Sequence, residues 1–185
     1  MRWAPEEGHV PRGFCGATGE LSEVQLVLVC AEPGYPHLRE NHDVGTTEVS
    51  YLESAYAYAY RCFKEETDPY HKKIRLILKL CWPEENFDQH IRKTWIVDSV
   101  LCSAKVESGP VSSIVERECR YRYLDKQLAA MPNALIVALG GKAQKRLKGH
   151  PGVIGAYSPA GLGGNLSGAR PSWEAVARRL RSHCA

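Results

Sequence analysis

Apolar positions along the chain alternate between two periodicities. "VQLVLVC" (24–30) is apolar at six of seven positions and rich in β-branched residues, which predicts a strand covered on both faces, and it stops abruptly at "AEPG". "TTEVSYLESAYAYAYRCF" predicts a helix capped by Thr47, with Val49, Leu52, Tyr56 and Tyr60 near helical spacing. "DPYHKKIRLILKLCW" predicts a second helix with Asp68 as cap and Pro69 in its first turn. Ile74, Ile77, Leu78 and Cys81 share one face of it, and it ends before Pro83. "TWIVDSVLCSA" reads as a strand, "SSIVERECRYRYLDKQLAAM" as one long helix, "ALIVALG" as a strand and "GKAQKRLKG" as the helix after it. A short strand "GVIGAYS" and a closing helix "SWEAVARRLRSH" follow, while residues 1–22 read as an irregular lead-in. Strands separated by helices predict a single-domain α/β/α sandwich over 1–185, with a central, mainly parallel four-stranded sheet.

Ligands of such sheets bind beyond the carboxyl ends of the strands, so three ends matter. Glu32 sits just past the first strand; its bland alternative is a solvated loop carboxylate. Asp98 interrupts an apolar strand, where a carboxylate is costly unless paired or functional, and a buried ion pair would serve equally. "AYSPAGLGGNLSGAR" offers backbone N–H groups and hydroxyls to an anion, or is a flexible loop. Lys142, Lys145, Arg146 and Lys148 read as a solvated helix face.

Composition narrows the partners only slightly. With 185 residues, 44% hydrophobic and 24% charged, the chain can bury a core without staples. Its formal charge of +3 permits a polyanion without demanding one. Apolar runs fall far short of the ~20 residues that span a bilayer, so no membrane partner is expected. Seven cysteines in no disulfide-like pattern, and "MRWAPEEGHV" without the apolar core of a signal peptide, predict a reducing, cytoplasmic setting.

Taken in order, the strand ends resemble the uracil-DNA glycosylase superfamily from about Val24 to Arg181. "LVCAEPG" is similar to its first motif, a strand followed by a G-x-[D/N/A]-P-[G/Y] turn, with Cys30 for the leading Gly and Glu32 in the third position. "IVDSVLC" resembles the strand carrying the base-reading Asn, with Asp98 in its place, and "ALIVALGGKAQKRL" the strand and helix that follow. "SPAGL" resembles the second motif, NPSGL in the mismatch-specific branch and HPSPL in the uracil-specific one.

The resemblance implies base flipping and hydrolysis of an N-glycosidic bond on DNA by a monomer without a cofactor. Glu32 would stabilise the sugar cation and orient or deprotonate water, and Ser158 would stand where the family has its His or Asn. An ionised Asp98 only accepts hydrogen bonds, which suits the cytosine N4 amino group; protonated by burial, it would donate to N3. Gly34 replaces the Tyr that blocks a C5 substituent, with Tyr35 beside it, and Val44 and Gly45 replace the stacking Phe, for which either His42 or Tyr51 would stand in or the pocket would be wider. Leu162 matches the residue that wedges into the duplex, and Asn165, Ser167 and Arg170 would contact phosphates. Cys102 and Cys119 resemble the second cysteine pair of an iron–sulfur branch; the first pair is absent, leaving only Cys15, so no cluster is expected. These features together imply release of a C5-modified cytosine from foreign, bacteriophage DNA. The alternatives are a uracil or mismatch repair glycosylase and a non-catalytic DNA-binding member.

Overall fold

The computed structural model describes residues 4, 7, 9–37, 40, 42, 47–106 and 108–183. Five strands form one sheet in the order β1-β3-β2-β4-β5: β1 (Phe14–Gly16), β2 (Leu26–Cys30), β3 (Thr94–Asp98), β4 (Leu135–Leu139) and β5 (Ile154–Ala156). All neighbours are parallel except β1, which runs antiparallel to β3 along the edge.

Alternation along the strands splits the core in two. Leu26, Leu28 and Cys30 of β2 face one layer with Ile96, Leu135, Val137 and Leu139. Val27 and Val29 face the other with Val97 and Ala138. The first layer is covered by α1 (Glu48–Glu65), α2 (Pro69–Cys81), α3 (Phe87–Arg92) and α7 (Ala169–His183). The second is covered by the turn ending at Leu124, α5 (Asp125–Ala129) and α6 (Gly141–Arg146), while α4 (Ser113–Cys119), with no buried residue, joins this side through Glu116 and Arg146. The expected α/β/α sandwich is thus observed, with five strands rather than four.

The helix signals hold where they have a chemical cause. Thr47 caps α1 by accepting from the Ser50 amide, and Asp68 caps α2 by accepting from Tyr70 and His71. The expected apolar face of α1 is corrected in part: Val49 and Leu52 are exposed, and burial starts at Ala55. Residues 112–131 are helical but not uniform, because a π turn at Arg120–Leu124 lies between α4 and α5. The lead-in is not wholly irregular, since it supplies β1, whose three residues are too few to show alternation.

Candidate functional site

Cys30 and Asp98 close β2 and β3 in register, so Asp98 ends its strand instead of interrupting it. The following turns are joined: Ser99 N–H donates to Cys30 O at 2.9 Å, Ser99 Oγ to Ala31 O at 2.6 Å and Val100 N–H to Ala31 O at 3.2 Å. Glu32 follows directly, and its side chain is only 6% exposed. Arg146 Nη1 lies 2.7 Å from its Oε2 as an ion pair, off the hydrogen-bonding direction, and Lys142 Nζ donates to Oε1.

Arg146, 5% exposed, ties the neighbourhood together. Its Nη1 also reaches Ala31 O at 2.8 Å and Ser99 Oγ at 3.0 Å, and its Nε donates to Glu116 Oε1 of α4 at 2.8 Å. Lys142, 40% exposed, donates in addition to the carbonyls of Ser108 and Gly109. The expectation of a solvated face is therefore corrected for these two, whereas Lys145 and Lys148 are exposed. The signal lay in their i, i+4 spacing on a helix that starts at the end of β4, which puts both on the flank nearest β2.

Asp98 is buried, and its carboxyl is pushed up to about 8, first by desolvation and then by the charge of Glu32; Arg12 and Arg146 oppose the rise. Its N–H donates to Gly13 O at 2.7 Å. Gly13 has φ +81°, and a Cβ there would stand 2.0 Å from Asp98 Oδ2, so only glycine lets the lead-in cover this carboxyl. Arg12, also unforeseen, sends its guanidinium to Gly34 O and, at 2.9 Å, to Glu40 Oε1. Glu40 in turn meets His42 Nε2 at 2.9 Å. Burial alone would raise the Glu40 carboxyl, but the His42 hydrogen bond and the Arg12 charge outweigh it and hold it low.

Around this pair, Gly34 O also accepts from Ser103 Oγ at 3.0 Å. Tyr35 is 40% exposed, with its hydroxyl donating to Lys105 O at 2.8 Å and its ring edge-on to His9. His42 is buried edge-on between Tyr51 and Tyr58, behind the Arg12–Glu40 pair. Val44 and Gly45 lie outside the described residues.

Ser158 stands past the end of β5, two strands from Glu32, and its Oγ accepts from Ala160 N–H at 3.1 Å. Gly140, at the end of β4 with φ +86°, packs so closely that a Cβ would lie 2.7 Å from Ser158 Cβ. In the loop beyond, Leu162 is 85% exposed and Leu166 is exposed as well, so Leu162 is no core residue. Asn165 Oδ1 accepts from Lys73 Nζ at 2.8 Å, Ser167 is exposed, and Arg170 pairs with Glu174 at 3.0 Å. The fold thus brings Glu32 and Asp98 together and sets Ser158 and Leu162 further along the same edge.

Cys102 and Cys119 are neighbours; burial raises the Cys102 thiol first and the Cys119 charge adds to it. Cys15 packs in the α1/α2/α7 core, across the sheet from the layer of α4, so it cannot complete a ligand set with them. No group of three or more metal-ligating side chains converges among the described residues. Nor, among them, is any helix long and apolar enough to cross a membrane. A separate cleft of about 410 Å³, lined by Thr18, Tyr56, Ala57, Tyr60 and Asp88, holds none of the candidate residues.

No protein-family model matches the sequence, and a search of curated proteins finds no match.

Proposed function

We propose that the protein is a monomeric, cytoplasmic DNA glycosylase resembling the uracil-DNA glycosylase superfamily, and that it releases a C5-modified cytosine from foreign DNA. The observation that carries this reading is the pair of buried carboxyls at adjoining strand ends. Glu32 is held between two cations, and Asp98 is pushed up to about 8 so that it keeps its proton at neutral pH. A carboxyl that keeps its proton beside one paired with cations lets the two divide acid and charge roles between them.

In this reading the flipped base meets Asp98. Its carbonyl oxygen accepts from the cytosine N4 amino group while its O–H donates to N3. As the bond from C1′ to N1 breaks, electrons flow into the base, and a proton moving from Asp98 to N3 stabilises the leaving group. Uracil already carries a proton on N3 and takes no such transfer. The sugar is left cationic, and Glu32 supplies the counter-charge and orients the water that adds at C1′. The proton of that water passes to solvent, from which the Asp98 carboxylate is reprotonated. Lys142 is the more exposed of its two cations, so the sugar approaches from that side while Arg146 holds the carboxylate from beneath. The pairing makes Glu32 a better electrostatic partner than proton acceptor.

The same clamp favours a second reading, a non-catalytic DNA-binding member in which Glu32 only ties the loops. Single-turnover assays on DNA containing uracil, cytosine or bulky C5-modified cytosines separate these. The expected result is abasic sites from modified cytosine alone. Release of uracil alone favours a repair glycosylase, and DNA binding without release from any substrate favours the second reading.

A further inference from the structure

Helices α2 and α7 pack side by side, with Ile74, Ile77, Leu78 and Cys81 of one and Trp173, Val176, Ala177 and Leu180 of the other in a shared core. With their apolar stripes turned inward, Lys72, Lys79, Arg178, Arg179 and Arg181 emerge exposed, whereas Arg75 turns aside to the Phe63 and Lys64 carbonyls and to Glu66. The two helices carry eight Lys and Arg side chains against one carboxylate, Glu174. That is a net +7 on a chain of total +3, which leaves −4 for everything else. Exposed Lys72, Lys79, Arg178, Arg179 and Arg181 form no ion pair among the described residues. The modest overall charge therefore conceals a basic face, whose exposed cations are those five.

This face is continuous with the candidate site. The Tyr70 hydroxyl donates to Cys30 Sγ, which places the start of α2 at the end of β2, and Lys73 binds Asn165 of the exposed loop. At the other end the Cys81 thiol lies within the field of Arg181, and the His183 ring is 2.9 Å from Asn133 O, just before β4. Both helices therefore run away from the carboxyl edge together, α7 for about 22 Å, or about six phosphates of one strand. None of the exposed large apolar side chains lies on α2 or α7, which favours a phosphate backbone over a lipid surface, where apolar anchors are needed.

We infer that the outer face of α2 and α7 is a track for the DNA backbone flanking the base to be removed. The charge argument stands by itself; the choice of DNA as the polyanion rests on the glycosylase reading. The test measures binding of a fluorescein-labelled 30-base-pair duplex by anisotropy across a salt series. It compares the wild type, R178E/R179E and a control of equal charge change on the opposite layer, R117E/K126E. The track predicts that R178E/R179E binds at least about tenfold more weakly at low salt, with a salt slope shallower by about 2 because each lost phosphate contact removes about 0.9. The control loses less than about threefold, and base release by R178E/R179E at saturating DNA stays at the wild-type rate. Equal losses in both variants, or a slower step at saturation, overturn the track while leaving the glycosylase reading in place. Wild-type protein that does not bind the duplex at low salt overturns that reading itself. Sedimentation with phosphatidylserine vesicles that R178E/R179E abolishes, with duplex binding unchanged, assigns the face to a membrane and overturns the inference.

Discussion

Removing Arg146 leaves Glu32 with Lys142 alone, takes the ion-pair partner from Glu116, and withdraws a donor from the Ala31 carbonyl. Breaking a buried pair from one side typically costs about 3–5 kcal/mol, so Arg146→Ala is expected to lose about that much in chemical denaturation, and Arg146→Lys less. A loss under about 1 kcal/mol would show that the network is slack. Glu32→Gln keeps the shape but removes the counter-charge to the sugar; DNA affinity is expected to persist while base release falls at least about a hundredfold. Near-normal release would remove Glu32 from the mechanism. For Asp98, which needs its proton to act as an acid, the rate is expected to fall as pH rises through about 8. Asp98→Asn abolishes that limb and lowers release of cytosine-type bases relative to uracil, because an amide has no proton to transfer to N3. An unchanged pH profile in the variant would exclude Asp98 as the acid.

At the scale of an element, the loop between β5 and α7 holds a leucine 85% exposed to water on a turn fixed at its base by Gly140 against Ser158. An isolated exposed Leu is ordinary, but Leu166 lies four positions on and the basic face begins beside it. A side chain that fills the gap left by a flipped nucleotide matters only where a gap forms. Leu162→Ala is therefore expected to slow release from duplex DNA by more than about tenfold relative to single strands, with unchanged thermal stability. Equal effects on both substrates would assign the loop another task.

For the whole molecule, the same carboxyl couples stability to pH. Asp98 holds its proton up to about 8 when folded but has an ordinary value of 3.8 when unfolded. Between those values the folded state binds more protons, so stability falls as pH rises across the window. Buried Cys15, raised to about 12 by desolvation, extends the fall at alkaline pH, since its thiol ionises first in the unfolded chain. Melting temperatures from pH 5 to 9 are expected to decline in the wild type and to be flatter in Asp98→Asn. Parallel curves would show that Asp98 is not the coupled group.

The sequence alone determined what depends on local chemistry and period. The three long strands follow from continuous apolar runs, and the starts of α1 and α2 from the caps Thr47 and Asp68. Glu32 stands out by its place past a strand end and Asp98 by its charge within an apolar run, whose end at Asp98 only the structure set. Tertiary structure decided what depends on distance between segments remote in the chain. Strand β1 forms because β3 offers an open edge, and no periodicity within three residues announces it. Arg146 meets Glu32 because β4 lies beside β2, which makes neighbours of side chains 114 positions apart. The state of Asp98 is set by burial under Gly13 and by the charge of Glu32, both products of packing. The basic face of α2 and α7 likewise needs two helices far apart in sequence to turn their cations outward together, a sum that net charge averages away.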